Sequence, residues 1–168
     1  MEPRSKPPPR PEAGPPPQAG EESERAAVIA EARTWLGTPF RNCGDAKGAG
    51  VDCAMLLVRA FVDTGAIAPF DPRPYSYQWH LHRDEEKFLA IIETLGREVD
   101  RPPIPGDVMV YQFGRCFSHG ALVIDAGHVI HAWSLEGRVT ISPMREIRLA
   151  RLNDGRPRPR KLFDPWAV

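Results

Sequence analysis

The sequence predicts an α+β domain in which helices from the first half of the chain pack on an antiparallel β-sheet from the second half. Apolar residues recur at helical spacing as far as residue 95, whereas the later part consists of short β-branched or aromatic runs separated by turn residues. Helices followed by strands are typical of this class. The length of 168 residues suits one domain with its own core, and therefore one active site.

Both ends of the chain differ from the middle in composition. The first twenty residues contain eight prolines and almost no apolar side chain to bury, so packing there would not offset the entropy of ordering the chain. We therefore predict a disordered, proline-rich tail over residues 1–21 and the folded domain over 22–155. A basic, proline-containing tail is predicted over 156–168.

Charge and hydropathy exclude several classes of function. The chain has 22 Lys or Arg residues and 22 Asp or Glu residues, so its net charge is zero. It lacks the excess of positive charge that is typical of nucleic-acid-binding proteins. The sequence has no apolar run long enough to span a membrane and no apolar run of a secretory signal peptide. We expect cytoplasmic synthesis without a signal peptide, no nucleic-acid partner and no membrane insertion. Three cysteines, an odd number, favour a reducing compartment over a disulfide scaffold.

Three helices are predicted in the first half. The second is nearly all apolar and therefore belongs in the core; Asp52 is a suitable N-cap for it and Gly65 a suitable stop. The predicted helices cover residues 23 to about 36, 53–63 and 84–95. Five strands follow, over residues 108–113, 120–124, 128–133, 138–142 and 147–152.

Cys53 is the first candidate for chemistry. In the first turn of a helix it would meet the positive end of the helix dipole and unpaired backbone N–H groups, both of which favour thiolate over thiol. A free cysteine among apolar residues is more often a small core residue, so a nucleophilic role also needs an imidazole and a third group that orients it. His119, His128 and His131 in the β half are the candidates.

The turn at residues 125–127 decides which histidines can cooperate. A three-residue loop with its glycine in the left-handed conformation places Ala121 opposite His131. His119 then lies on the same face, diagonal to His131 and about 7–8 Å away at Cα, whereas His128 falls on the opposite face. A slip of one residue would separate the first two. The predicted register therefore makes His119 and His131 partners and leaves His128 out.

The same region offers an alternative metal site. Zinc ligands of the right types are Cys43, Cys53, Cys116, His119 and His131. The sequence has neither a C-x-x-C pair nor an H-E-x-x-H motif, so zinc ranks below nucleophilic catalysis. We interpret Cys116 as an incidental thiol.

Three motifs together resemble the NlpC/p60 family of papain-like cysteine peptidases. They are Gly50-Val51-Asp52-Cys53, Pro105-Gly106-Asp107-Val108 before a strand, and Ser118-His119-Gly120-Ala121 followed by Ile130-His131-Ala132. The resemblance covers about residues 30–150. It implies a papain-like fold, no metal or other cofactor, and hydrolysis of peptide bonds in the peptidoglycan stem. It also implies that Cys53 attacks, His119 accepts and later donates the proton, and His131 holds the imidazole.

Positions that depart from the family pattern lie beside the nucleophile. Ala54 and Met55 replace the usual Ser and Gly after the cysteine, and Phe40 stands where a tyrosine is often found. A missing hydroxyl removes a hydrogen bond to substrate or oxyanion, where one donor is worth about 10²–10³ in rate. We expect an intact triad with altered efficiency, and contacts to substrate from Asp52 and Phe40. The aromatics Tyr75, Tyr77 and Trp79 either line the groove or pack on the third helix.

Two short segments resemble a particular branch of the family. Residues 37–41 (Gly-Thr-Pro-Phe-Arg) and 74–76 (Pro-Tyr-Ser) are similar to members found in phage tails and gene-transfer particles. That resemblance implies assembly into a phage-like particle that acts at the cell wall, with other particle proteins as partners. Two alternatives stay open: an amidase or acyltransferase that uses the same residues, and a weak or inactive structural component that binds wall peptide or a neighbouring protein.

Overall fold

The computed structural model describes residues 17–76 and 86–167. The helices in these stretches are α1 (Ala19–Arg33), α2 (Cys53–Asp63), α3 (Lys87–Leu95) and α4 (Ile147–Ala150). The strands are β1 (Asp45–Ala46), β2 (Gly50–Val51), β3 (Arg97–Glu98), β4 (Val108–Phe113), β5 (Cys116–Val123), β6 (His128–Trp133), β7 (Arg138–Pro143) and β8 (Arg160–Asp164). Most of the predicted proline-rich tail, Tyr77, Trp79 and the start of the predicted third helix lie outside the described residues. No helix in the described stretches is both long and apolar enough to cross a membrane.

One antiparallel sheet organises the β half, with the strand order β3-β8-β4-β5-β6-β7. Together with the helices it confirms the predicted α+β class. In the β5–β6 hairpin Leu122 lies opposite Ile130, so the predicted register is confirmed. The predicted left-handed glycine is wrong, because Gly127 does not have a positive φ. Its N–H instead donates to Asp125 Oδ1 at 2.7 Å, which closes the loop through a side chain.

The two faces of the sheet are covered differently. Helices α1, α2 and α3 pack on one face and share the larger apolar core with it. Helix α2 lies deepest, with seven of its 11 residues buried, as its apolar sequence predicts. The other face carries a smaller cluster that includes Tyr111, Trp133 and Leu149 of α4.

A glycine lets the helices approach the sheet closely. A Cβ atom at Gly120 in β5 would lie 2.7 Å from Leu57 Cδ1 of α2 and 2.8 Å from Phe88 Cζ of α3. Carbon atoms in a packed interior lie at about 3.5–4.0 Å, so a side chain at this position would displace the ends of Leu57 and Phe88. Helices α2 and α3 therefore rest directly on the β5 backbone, at the residue after His119.

One predicted strand is a helical turn. The sequence predicts a strand over 147–152, but residues 147–150 form α4. Glu146 caps it, since its carboxylate accepts a hydrogen bond from the Leu149 N–H at 3.0 Å. Leu149 is fully buried while Ile147 is 70% exposed. The two apolar residues that indicated a strand therefore point in different directions, one into the core and one into solvent.

The structure corrects the predicted C-terminal tail over 156–168. Residues 160–164 form β8, which lies between β3 and β4 in the sheet, and Phe163 is buried in the main core. Leu162 and Phe163 are the main apolar signal in a basic, proline-containing stretch, which is why composition indicated a tail. The folded part also begins before the predicted domain start at residue 22, because α1 starts at Ala19.

Ion pairs fasten β8 to α1 and to the loop before β4. The buried guanidinium of Arg25 contacts Asp107 at 3.0 Å and Asp164 at 2.5 Å. Arg101 contacts the same two carboxylates at 2.6 Å each. These four residues form the arginine–aspartate cluster. Glu21 also contacts Arg25, at 2.8 Å, so each buried guanidinium is paired, as buried ions require. Asp107, the aspartate of the Pro-Gly-Asp-Val motif, thus links the strand that follows it to both ends of the described fold.

Candidate active site

Cys53 is the first residue of α2, and Asp52 is the N-cap, as predicted. Asp52 Oδ1 accepts a hydrogen bond from the Met55 N–H at 2.9 Å, and Oδ2 accepts one from the Cys43 N–H at 2.7 Å. The Tyr75 hydroxyl donates to the same carboxylate, at 2.8 Å from Oδ2. The carboxylate predicted to contact substrate is therefore engaged by the protein itself. These hydrogen bonds of the Asp52 carboxylate fix the start of α2, the helix that carries Cys53.

His119 of β5 and His131 of β6 form a hydrogen-bonded pair. His119 Nε2 lies 2.7 Å from His131 Nδ1, and His131 Nε2 lies 2.9 Å from the Ser142 hydroxyl of β7. All three side chains are buried. His128 is instead exposed and contacts Asp125 at 2.9 Å. The structure thus brings His119 and His131 together and leaves His128 apart, as the predicted register requires.

A β-bulge lies beside His119. The β4–β5 register shifts between Tyr111 and Gln112, which makes Ser118 an extra residue in β5. The Ser118 carbonyl oxygen lies 3.9 Å from Cys53 Sγ. The bulged backbone therefore meets the first residue of α2 immediately before His119.

Cys53 and His119 line one cavity of about 350 Å³. The cavity is also lined by Phe40, Asn42, Asp52, Phe113, Ser118, Trp133, Ser134 and Leu135. Because His131 engages Nε2 of His119, Nδ1 is the ring nitrogen left to accept a proton from a thiol. A thiol and an oriented imidazole in one cavity are the components of nucleophilic acyl transfer.

The surroundings of Cys53 favour the thiol. Burial, and then the neighbouring Asp52 carboxylate, raise the pKa of Cys53 to about 12. Backbone N–H groups, including that of Gly120, lower this pKa but do not outweigh burial. The helix start alone therefore does not produce the thiolate that the sequence predicts. A proton acceptor has to act as the sulfur attacks.

The histidine pair is held neutral. Burial, and then His131 and Arg158, keep the pKa of His119 well below its ordinary value. Burial also lowers the pKa of His131 to about 4. At neutral pH the site therefore contains a neutral imidazole that is able to accept a proton.

Aromatic side chains enclose the imidazoles. Phe113 meets His119 edge-on, with ring centroids 5.6 Å apart, and Trp133 lies 4.9 Å from His131. The guanidinium of Arg158 stacks on Phe113 at 3.8 Å. These contacts restrict the orientations of the two imidazole rings.

The sequence model of one family matches residues 37–151, more than half of the chain, and its description is NlpC/P60 family. The chain belongs to the NlpC/P60 family. No curated protein matches this sequence.

Solved structures agree with the NlpC/P60 assignment. The NlpC/p60 domain of the peptidoglycan hydrolase SagA superimposes with a TM-score of 0.58 at 17% identity, over 83% of this chain and 97% of that one. The peptidoglycan hydrolase RipB from Mycobacterium tuberculosis gives 0.56 at 22% identity, over 93% and 74%. NlpC1 from Trichomonas vaginalis gives 0.59 at 17% identity, over 87% and 45%. Together with the family match, these likenesses confirm the predicted papain-like fold.

Several residues of the NlpC/P60 site were not predicted: Asn42, Phe113, Trp133 and Ser142. Trp133 follows His131 by two residues in a strand, so parity would have placed it on the same face. Ser142 lies two residues beyond Thr140, which pairs with His131. A prediction of the β6–β7 register would therefore have placed Ser142 on the same face as His131. Asn42 lies in an irregular loop, where no periodicity indicates a side-chain direction.

Residues of the zinc alternative are used differently in the structure. Within the described stretches, no three His, Cys, Asp or Glu side chains are arranged to hold a metal ion. The Cys43 thiol donates to the Tyr75 carbonyl at 3.3 Å, and Cys116 is buried.

The buried His131 predicts a loss of stability in acid. Its pKa is about 4 in the fold against an ordinary 6.5, so between these values the unfolded chain binds the extra proton. Stability is therefore fully present above pH 6.5 and is lost as pH falls toward 4, by about 3 kcal/mol at most. We expect His131→Asn to flatten the fall in Tm between pH 6.5 and 4, measured by calorimetry. Replacing the exposed His128 with Asn should leave the slope unchanged, and an unchanged slope in His131→Asn would contradict the prediction.

Proposed function

We propose that the chain is a cysteine endopeptidase that hydrolyses amide bonds in peptidoglycan stem peptides. The observation that carries this proposal is that Cys53 and His119 line one cavity while the second ring nitrogen of His119 is held by His131. The substrate class is supported by SagA and RipB, which are both described as peptidoglycan hydrolases.

The hydrogen bonds from His119 to His131 and from His131 to Ser142 determine which ring nitrogen of His119 transfers the proton. In the productive tautomer His119 donates from Nε2 to His131 Nδ1, and His131 donates from Nε2 to Ser142 Oγ. Nδ1 of His119 then takes the thiol proton as Cys53 Sγ attacks the substrate carbonyl. The imidazolium gives this proton to the leaving amine as the C–N bond breaks. Water, deprotonated by His119, then hydrolyses the thioester and restores the thiol.

Two donors are placed to meet the oxyanion. The Cys53 backbone N–H lies in the first turn of α2, where helix N–H groups have no partner within the helix. The Asn42 amide lines the cavity and makes no side-chain hydrogen bond within the described residues. An amide at this place offsets the hydroxyls that are missing at Phe40 and Ala54.

Hydrolysis is tested by incubating the protein with purified peptidoglycan and with soluble stem peptides. We expect mass spectrometry to show fragment pairs whose masses add up to the substrate plus one water. Prior alkylation of Cys53 should stop the reaction, whereas Cys43→Ser and Cys116→Ser should still cleave. If the folded protein cleaves none of these substrates, the proposed reaction is wrong. Added amines separate hydrolysis from acyl transfer, because a transferase forms adducts with them.

The particle context is a separate proposal, supported by the resemblance of residues 37–41 and 74–76 to phage-tail members. It predicts that the protein co-sediments with phage-like particles from cells that make it, together with tail proteins. Recovery of the protein free of any particle would contradict it.

A further inference from the structure

A second cavity adjoins the proposed catalytic cavity. It has a volume of about 780 Å³ and shares Phe113 and Leu135 with the cavity that contains Cys53. Because the two cavities share these walls, a ligand held at Cys53 can continue into the second one. We call this second cavity the arginine groove; its distinctive walls are Phe113, Leu135, Ile147, Arg151 and Arg158.

Apolar side chains are exposed at the arginine groove. Leu135 is 61% and Ile147 is 70% exposed, and the next most exposed large apolar side chain in the described part of the chain, Leu36, is 45% exposed. Two such residues beside one groove form a surface that a bound chain would cover. Their position favours contact with the aliphatic part of a substrate.

The charge of the arginine groove is not balanced. Arg148 is paired with Glu136 and Glu146, and Asp154 is paired with Arg156. Arg151 and Arg158 form no ion pair within residues 17–76 and 86–167. A positive field therefore remains at the groove.

The two unpaired arginines differ in what they can offer a ligand. Arg158 is half-buried and donates to main-chain carbonyls of Gln112, Arg148, Leu149 and Arg151. Arg151 is exposed and makes one side-chain hydrogen bond, from Nη1 to the Gly155 carbonyl at 3.1 Å. Arg151 thus has free donors for a carboxylate, while Arg158 contributes a fixed charge. That charge also lowers the pKa of His119, so its field reaches the catalytic cavity.

We propose that the arginine groove is a substrate subsite that binds a free carboxylate of the peptide next to the scissile bond, through Arg151 and the charge of Arg158. This subsite rests on the proposed function and specifies its substrate: a stem peptide with a free carboxylate is preferred over its amidated form. Arg151 is the last residue of the family match at 37–151, whereas Arg158 lies outside it.

Binding to the uncleaving Cys53→Ala variant tests the subsite directly. The ligands are two soluble stem peptides that are identical except that the carboxylates of one are amidated, and affinity is measured by titration calorimetry. We expect the acid peptide to bind about ten-fold more tightly, because charge-assisted hydrogen bonds add to its affinity. A second substitution, Arg151→Gln, should reduce this preference several-fold and lower the affinity for the acid peptide more than that for the amidated peptide.

The matched control is Arg160→Gln, which removes an exposed positive charge two residues after Arg158, at a residue that forms no ion pair within the described residues and does not line the groove. It should keep the ten-fold preference. Equal affinities for the two peptides, no binding of either, or a preference that Arg151→Gln leaves undiminished would overturn the subsite. Cleavage by the wild-type protein without any acid preference would refute the subsite alone, whereas Arg151-dependent acid binding without cleavage would refute the proposed hydrolysis alone.

Discussion

Replacing Cys53 with alanine is expected to abolish peptidoglycan hydrolysis while leaving peptide binding intact. Alanine removes the attacking sulfur but fits the same position at the start of α2, where Asp52 holds the helix. Replacing His119 with alanine should lower the rate by about 10²–10⁴, the usual contribution of a general base. Since the pKa of Cys53 is raised to about 12, little thiolate exists at neutral pH without this base.

The rates are best compared by quantifying product peptides at several substrate concentrations. His128→Ala is the matched control, because this histidine lies in the same hairpin but is exposed, and among the described residues its side chain is hydrogen-bonded to Asp125 alone. It should keep full activity. Undiminished cleavage by Cys53→Ala would refute the proposed nucleophile, and undiminished function in the particle without cleavage would favour the structural alternative.

Replacing Asp164 with alanine is expected to destabilise the fold severely. Asp164 pairs with both arginines of the arginine–aspartate cluster. Its removal takes one carboxylate from each guanidinium and leaves Asp107, with the partly exposed Glu21 beside Arg25, as their partners; the side chain of Arg25 is almost fully buried. Breaking a buried ion pair on one side costs about 3–5 kcal/mol, which lowers Tm by about 6–20 °C for a chain of this size.

Thermal unfolding of the two proteins at neutral pH measures the loss. The control is Glu98→Ala, which breaks the Glu98–Lys161 pair between the adjacent strands β3 and β8; Glu98 is half exposed there. Exposed pairs contribute at most about 1 kcal/mol, so its Tm should change little. Similar Tm values for Asp164→Ala and the wild type would show that the cluster does not hold β8 in the sheet.

The parts of the fold that could be predicted depend on local patterns. Helix α2 follows from the N-cap at Asp52 and the apolar run after it. The β5–β6 hairpin follows from the short turn at residues 125–127. The hairpin register followed from loop length, even though the loop closes through Asp125 and not through a left-handed glycine. That register was enough to pair His119 with His131.

The parts that could not be predicted depend on distant contacts. β8 has few apolar residues, and its place in the sheet comes from pairing with β4 and from Asp164. The pKa of Cys53 depends on burial, which helix position does not reveal. Ser142 and Phe113 reach the histidines from strands whose relative registers the sequence leaves open.

Gly120 makes the spacing of the candidate nucleophile and base depend on a residue that carries no functional group. A Cβ atom there would displace the ends of Leu57 and Phe88, and a larger side chain would press on α2, which carries Cys53 at its start. The distance between the candidate nucleophile and the strand of His119 therefore depends on this position too. A homologous chain that kept both Cys53 and His119 but carried a larger residue at 120 would retain the signature of a peptidase after losing its activity.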